Sequence, residues 1–186
     1  MESSLQNHFL IAMPNLADSF FYRSVIYICE HDKNGAMGLI INRPTRVMLE
    51  ELLSHLHIEN PSESIKNTPV LFGGPVQKGQ GMVIHDQAQS PWKSSLQLTD
   101  DIILTTSTDI LEALGTDEGP SNALVTLGYS GWSEGQLEEE IMENSWLTVP
   151  ASHTLLFDTP ADQRWHAAAK SIGVDMNLMS NIAGHS

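Results

Sequence analysis

The sequence predicts a mixed α+β domain, and three patterns support this fold class. Apolar runs rich in β-branched and aromatic residues recur along the chain and end at proline, glycine or polar turns, as strands do. Apolar residues at helical spacing separate some of these runs. The predicted strands outnumber the helices and do not alternate with them as regular βαβ units, which disfavours a doubly wound parallel sheet. We expect one domain over residues 1–186.

The first half of the chain is predicted to consist mainly of strands. Asn34 and Gly35 tolerate the positive φ angles of a tight turn, so the apolar runs on either side are expected to form a β-hairpin. A helix is expected over residues 48–56, where leucines make one apolar stripe and Thr45 is a suitable N-cap. The predicted strands are residues 9–13, 24–30, 36–42, 70–72 and 81–85, with a loop at 60–64.

The second half contains more helix and a glycine-rich segment. Asp109 and Glu112 have the spacing of a capping box, which predicts a short helix that ends at Gly115. Residues 128–135 are predicted to form a loop that leads into a helix over 136–144. The predicted strands are residues 102–106, 123–127, 146–149 and 154–157. A late helix begins at Pro160, with inward-facing residues Trp165, Ala168, Ala169 and Ile172, and a last helical turn covers 175–182.

The charge of the chain excludes two classes of partner. Its 186 residues carry 9 lysines and arginines against 23 aspartates and glutamates, a net charge of −14. Duplex DNA and anionic membranes bind basic surfaces, so direct binding of either is not expected. The charge is also uneven, since residues 94–186 contain 14 acidic side chains and only 2 basic ones. Cations for an anionic ligand are therefore expected in the first half.

The expected location of the protein is the cytoplasm. Cys29 is the single cysteine, so no intrachain disulfide is expected. The first residues lack the basic and apolar regions of a secretory signal. The apolar runs are far shorter than the ~20 residues that span a bilayer. These features are typical of a soluble bacterial protein.

Cys29 and His31 are candidate catalytic residues. Two residues apart in a strand, they would share a face, and a thiol beside an imidazole is the minimum for a cysteine nucleophile. The alternative is a buried Cys29 that packs with the other apolar residues of its strand. We favour this alternative because free cysteine is among the most buried residue types.

Other titratable residues suggest weaker sites. His85 with the neighbouring Asp86, and Glu138 with Glu140, have side chains suited to general acid–base catalysis, although nothing in the sequence shows that these groups converge. His55 and His57 would lie about 200° apart on a helix and could share a metal only if the helix had ended. No third ligand is spaced nearby and no zinc motif occurs, so we expect no bound metal and no cofactor.

Three turns offer places for a ligand. Arg43, at a predicted strand end, presents a guanidinium that fits a carboxylate or phosphate, or equally an acidic side chain of the same protein. Gly73 and Gly74 follow a buried strand and either let a ligand approach the backbone or form a structural turn. Residues 128–136 lead into a helix N-terminus that can receive an anion, or form a tight turn before an acidic helix face.

Six segments together resemble the YqgE/AlgH family of bacterial proteins. They are FLIAMP (9–14), RSVIYICEH (23–31), GAMGLIINRP (35–44), GGPV (73–76), GYSGWSEGQLE (128–138) and NSWL (144–147), so the resemblance spans almost the whole chain. It implies a compact α+β domain with a mixed, bifurcated, partly barrel-like sheet flanked by helices. No enzymatic activity is established for the family, and some members are labelled transcriptional regulators because of an association with alginate production.

We expect a non-enzymatic binding or regulatory module that recognises a protein or a small anionic ligand. The three turns are expected to line one cleft, with aromatic neighbours as anchors. One alternative is a transcriptional regulator that acts indirectly, through a partner protein; another is an enzyme that uses Cys29 and His31. The candidate ligand-binding residues are Asn42, Arg43, Gly73, Gly74, Tyr129, Gly131, Trp132 and Gln136, with Cys29, His31, His85 and Glu138 as weaker candidates.

Overall fold

The fold is a mixed arrangement of strands and helices. The computed structural model describes residues 4–14, 16, 21–58, 65, 67–86, 92–114, 116 and 118–183, so the predicted loop at 60–64 and helix end at Gly115 lie outside the described residues. The strands are β1 His8–Ala12, β2 Val25–Asp32, β3 Gly35–Ile40, β4 Pro44–Met48, β5 Pro69–Phe72, β6 Val76–His85, β7 Ser95–Gln97, β8 Ile103–Thr105, β9 Ala123–Ser133 and β10 Trp146–Pro150. The α-helices are α1 Leu49–His55, α2 Asp109–Ala113, α3 Gln136–Met142, α4 Arg164–Lys170 and α5 Met176–Ala183, and a π-helical turn (Thr154–Asp158) and a 3-10 turn (Ala161–Gln163) precede α4.

The strands form one curled, mainly antiparallel sheet with the shape of a half barrel. The hydrogen-bonded order of its main path is β10-β1-β2-β3-β9-β6-β8-β7. The predicted hairpin is confirmed, because β2 and β3 are antiparallel neighbours on either side of residues 33–34. Within this turn the Asn34 N–H donates to Asp32 Oδ1 at 2.7 Å. The sheet and its helices confirm the predicted α+β class.

The sheet branches at β9. β6 pairs with one edge of β9, over residues 123–129. On the opposite edge β5 pairs in parallel with Thr126 and Leu127, and β3 then pairs antiparallel with residues 130–133. We call this branch the fork. Gly128 stands at the change of partner and has a φ of +78°, which glycine adopts at no steric cost.

Three apolar clusters pack against the sheet. Successive strand residues point to opposite faces, and both faces of β1 and β2 are covered, which explains why these runs are continuously apolar. Phe9 and Tyr27 belong to the cluster that includes α4, whereas Leu10 and Ile26 belong to the cluster that includes α3. Residues of α1 and α2 pack in the third cluster.

Two predictions for the second half are wrong. Residues 128–133 continue β9 instead of forming a loop, because they pair with β3 and satisfy its backbone hydrogen bonds. Residues 154–157 lie in the π-helical turn instead of a strand. Periodicity does not distinguish the two in so short an apolar run. The carbonyls of Leu155 and Leu156 accept hydrogen bonds from the guanidinium of Arg164, which holds the turn.

Helix ends differ from the predictions in three places. Thr45 lies in β4 and is not an N-cap, since its hydroxyl donates to the Val70 carbonyl across the β4–β5 pair at 2.7 Å. Asp109 is the first residue of α2 and accepts from the Lys93 N–H instead of capping the helix. Ile172 lies beyond the end of α4 and is 43% exposed. Thr45 and Asp109 bond residues distant in sequence instead of capping a helix, and Ile172 faces solvent instead of the core.

Candidate functional site

The three predicted turns meet at the fork. The Phe72 N–H donates to the Arg43 carbonyl at 2.8 Å, and the Ile40 N–H donates to the Gly73 carbonyl at 2.9 Å. The Gly73 N–H in turn donates to the Leu127 carbonyl at 2.8 Å. The end of β3, the end of β5 and the middle of β9 are therefore neighbours.

At the fork the backbones are in direct contact and leave no room for a ligand between them. A Cβ on Gly74, whose φ is +156°, would lie 2.1 Å from the Tyr129 carbonyl carbon. A Cβ on Gly73 would lie 2.4 Å from the Gly128 carbonyl oxygen. The structural interpretation of this glycine pair explains its position fully, because only glycine permits such an approach.

Asn42 and Arg43 fasten the start of β2. The Asn42 amide oxygen accepts from the Val25 N–H, and its NH₂ group donates to the Arg23 carbonyl, both at 2.9 Å. Arg43 Nη2 donates to the Tyr22 carbonyl at 3.1 Å and to Ser24 Oγ at 2.9 Å. Asn42 and Arg43 thus both use their polar groups within the fold, and Arg43 also brings its positive charge to this edge.

The aromatic and polar candidates of β9 and α3 make most of their described contacts within the fold. Trp132 is only 6% exposed, so it is a core residue and not a surface anchor. Its Nε1 and the Nε1 of Trp146 both donate to Glu140 Oε1, at 3.1 and 2.9 Å. Gln136 accepts from the Ser133 N–H and donates to Glu140 Oε2 at 2.9 Å. Tyr129 packs half-buried against the cluster of α4, and Gly131 is exposed on β9.

Cys29 and His31 lie on opposite faces of the sheet, contrary to the prediction. Ile28 pairs with Gly38 and Glu30 pairs with Met37, so Cys29 is the extra residue of a β-bulge. One extra residue reverses the alternation of side chains. Cys29 therefore points into the cluster of α4, whereas His31 contacts Glu138 of α3 on the other face.

The buried Cys29 thiol is expected to be unreactive in the folded protein. The side chain is fully buried, and this burial raises the pKa of the thiol above its ordinary value. We expect iodoacetamide to leave native Cys29 unmodified at neutral pH and to modify it after unfolding in guanidinium, as measured by mass spectrometry. Complete alkylation of the native protein would restore the cysteine-enzyme hypothesis.

His31 and Glu138 form a closed hydrogen-bonded pair. The Leu5 N–H donates to His31 Nδ1 at 2.8 Å, so the proton of the neutral ring lies on Nε2 and is donated to Glu138 Oε1. This hydrogen bond holds the pKa of the Glu138 carboxyl below its usual range. Both ring nitrogens are engaged, so the pair ties the N-terminal segment to β2 and α3.

His85 is fully buried and its ring is also engaged at both nitrogens. Nδ1 donates to the Asp86 carbonyl at 2.8 Å, and Nε2 accepts from the Thr105 hydroxyl at 2.7 Å. The edge of the Trp92 ring packs against it, with centroids 5.3 Å apart. Burial lowers the pKa of His85, which keeps it neutral. It stabilises the β6–β8 pair.

Sequence reasoning missed the role of Arg164. Its guanidinium is 6% exposed and donates to the carbonyls of Leu155 (3.2 Å), Leu156 (3.0 Å) and Ile41. Burial lowers its pKa to about 10, so it remains charged at neutral pH. One feature of the sequence could have drawn attention to Arg164. It is one of only two basic side chains in the second half, with Lys170, and both lie on α4.

Three arginines gather at one end of the sheet, which we call the arginine end: Arg23, Arg43 and Arg164. The exposed guanidinium of Arg23 lies over the Trp165 ring, with its carbon 4.9 Å from the ring centroid. The Arg43 side chain lies along the same turn, on Ser24 and the carbonyl before Arg23. Arg164 anchors to the Ile41 carbonyl beneath them. The turn before β2, the end of β3 and the start of α4 thus bring positive charge together.

Neither a metal centre nor a membrane span is found in the described part of the chain. His55 ends α1, so His57 does lie beyond the helix, with a φ of +61°. Even so, no group of three histidine, cysteine, aspartate or glutamate side chains among the described residues could hold a metal ion. Within the same residues, every helix is too short or too polar to cross a membrane.

A forked half-barrel sheet with these packed turns defines a class of α+β proteins. Comparison with known proteins shows which family this class corresponds to. The AlgH-like family model matches residues 9–177, and the chain belongs to this family. A UPF0301 protein of Shewanella woodyi is 52% identical over 185 residues, covering 98% of this chain and 99% of that protein. The UPF0301 protein YqgE of Escherichia coli is 50% identical, with the same coverage.

Solved structures show the same fold. The solution structure of AlgH from Pseudomonas aeruginosa has a TM-score of 0.80 and 41% sequence identity, covering 97% of this chain and 95% of that one. A Corynebacterium diphtheriae protein shares the fold at 19% identity, with a TM-score of 0.73 and coverage of 97% and 93%. The resemblance seen in the sequence and the bifurcated, partly closed sheet that it implied are confirmed.

Proposed function

We propose that the protein is a non-enzymatic binding module that recognises an anionic group, on a partner protein or a small ligand, at the arginine end. The proposal rests mainly on the position of Arg23. Its guanidinium is exposed on the faces of Trp165 and Tyr22, with carbon-to-centroid distances of 4.9 and 5.5 Å. A guanidinium held over aromatic rings can still offer N–H donors to a carboxylate or phosphate.

The charge distribution supports this site. The chain carries a net charge of −14, yet Arg164, one of the two basic side chains of its second half, lies at the start of α4 next to the turn that carries Arg23. Arg164 bonds three carbonyls and has no carboxylate partner among the described residues. Its full charge therefore adds to the local positive potential, and such a field attracts anions to one place on an acidic surface.

The alternative that uses Cys29 and His31 has weaker support. The bulge directs the two side chains to opposite faces, the thiol is buried, and both nitrogens of the imidazole are hydrogen-bonded. A regulator that acts indirectly remains compatible with the proposed site, because it needs only a partner protein that carries an acidic segment.

The proposal is tested by replacing Arg23. We expect the wild-type protein at low salt to bind pyrophosphate or an octaglutamate peptide in calorimetric titrations, and Arg23→Gln to bind at least about tenfold more weakly. One charge-assisted hydrogen bond contributes about 1.5–3 kcal/mol, which corresponds to that factor. Arg43→Gln is expected to act in the same direction, whereas the exposed Arg46 of β4 provides a matched Arg46→Gln control.

The two ligands separate the two sources of the anion. Binding of the peptide but not of pyrophosphate favours a partner protein, and the reverse favours a small ligand. Affinity must also fall as salt is raised, because the site is exposed. Equal affinities in wild type, Arg23→Gln and Arg46→Gln, or no binding of either ligand, would contradict the proposal.

A further inference from the structure

A concave region lies between α1, β6 and α2. We call it the α1–β6 groove, and its volume is about 270 Å³. Its lining residues are Leu52, Leu56, Gly81, Val83, Leu111 and Leu127, together with residues 79–80 and 106–108. None of the sequence-predicted site residues lies in it.

Helix α1 carries more apolar surface than the core covers. Leu49 and Leu53 are buried in the third cluster, as the apolar stripe predicted. Leu52 and Leu56 lie at the edge of the same stripe and form a wall of the groove, with Leu56 42% exposed. Leaving large leucine side chains in water is unfavourable, so an occupant that covers them gains binding free energy.

The floor of the groove contains two glycines that the fold does not require. A Cβ on Gly79 or on Gly81 would meet no atom within 4 Å, and neither residue has a positive φ. This contrasts with the glycines of the fork, where a Cβ would collide with backbone. A side chain at Gly79 or Gly81 would instead project into open space at the groove, so glycine keeps this space free.

The charge and polarity of the lining side chains indicate which kind of ligand the groove can bind. In a chain with a net charge of −14, the described residues that line the groove include no charged side chain. An ion placed there would lose hydration without gaining a charged partner, which is costly. One wall carries the hydroxyl-bearing residues 106–108, Gln80 adds an amide, and the other described lining residues are aliphatic or glycine. Complementarity therefore favours a neutral molecule.

We propose that the α1–β6 groove binds a small, neutral, mainly apolar molecule, such as a ring or short alkyl chain that bears one hydroxyl or carbonyl group. The volume is slightly below the roughly 300–1,000 Å³ of common ligand pockets, which limits the occupant to a small molecule. The groove is independent of the anionic group proposed for the arginine end, so each proposal can fail alone.

The test uses the neutral fluorescent probe N-phenyl-1-naphthylamine. Wild type is expected to bind it with increased fluorescence, and 1-octanol is expected to displace it at a concentration at least tenfold lower than octanoate does. Leu56→Gln removes the apolar wall, and Leu96→Gln is its matched control, because Leu96 is 41% exposed on β7 and outside the groove. We expect about a tenfold loss of probe affinity for Leu56→Gln and none for Leu96→Gln.

A second variant fills the groove without removing any contact. Gly81→Val places a strand-favouring side chain in open space, so the protein is expected to fold and to lose probe binding. Arg23→Gln is expected to bind the probe as wild type does. The proposal is overturned if wild type does not bind the probe, if Leu56→Gln and Gly81→Val bind it unchanged, if Leu96→Gln loses as much, or if octanoate competes as well as octanol.

Discussion

Replacement of Arg164 by methionine is expected to lower the free energy of unfolding by about 3 kcal/mol or more. Methionine matches the stem of arginine but leaves the carbonyls of Ile41, Leu155 and Leu156 without this donor in a buried site. Each buried polar group left unsatisfied costs about 1–3 kcal/mol. For a domain of this size the melting temperature should fall by about 6–12 °C.

Urea denaturation followed by tryptophan fluorescence measures this effect. Arg46→Met is the control, because Arg46 is exposed on β4 and its replacement should change stability by less than about 0.5 kcal/mol. Arg164→Lys keeps the charge but supplies a single nitrogen, so it should be intermediate. If Arg164→Met proves as stable as wild type, the bonds to these carbonyls do not hold α4 and the π-helical turn to the sheet.

Gly74→Ala is expected to destabilise the fold by about 3 kcal/mol or more, since two costs add. The φ of +156° is strained for alanine, and the new Cβ would lie 2.1 Å from the Tyr129 carbonyl carbon. Backbone strain and overpacking each cost about 1–3 kcal/mol. The collision is with backbone at the fork, so no side-chain rotation relieves it.

The matched variant is Gly81→Ala, because Gly81 also lies next to β9 but its Cβ would meet no atom within 4 Å. Its stability should equal or slightly exceed that of wild type. Thermal unfolding monitored by circular dichroism compares the two. Equal melting temperatures for Gly74→Ala and Gly81→Ala would show that the fork tolerates a separation of its strands.

The elements that the sequence predicted well are those whose signals are local. The apolar β-branched run of β2 and the Asn34-Gly35 turn give the hairpin directly, because the turn geometry depends on neighbouring residues. The leucine stripe of α1 gives a helix because its spacing is helical. Strand β4 and the strand character of residues 128–133 were missed, because their backbone partners lie more than 20 residues away.

The three turns were predicted to line one cleft; they do meet, but at Gly73 and Gly74 their backbones pack directly against each other, so no cleft lies between them there. The sequence indicated that the turns at Arg43, Gly73 and Gly128 meet, and the hydrogen bonds of the fork bring them together. The sequence did not indicate that Gly73 and Gly74 allow two backbones to pack closely. A glycine pair is equally compatible with a ligand or with a neighbouring backbone, because both require the absence of a side chain. Nor could the sequence show that the bulge at Cys29 turns His31 to the other face, because an extra residue in a strand leaves no compositional mark.

The pairing of the sheet constrains when this protein can fold during its synthesis. The first strand, β1, pairs with β10, so His8 lies opposite Pro150, and β3 pairs with β9, whose last residue is Ser133. The three strands made first therefore lack their outer neighbours until most of the chain has been translated. Their apolar faces are exposed during that time, and non-local pairing of this kind is slow and prone to aggregation. Completion of the sheet must wait until residue 150 has left the ribosome.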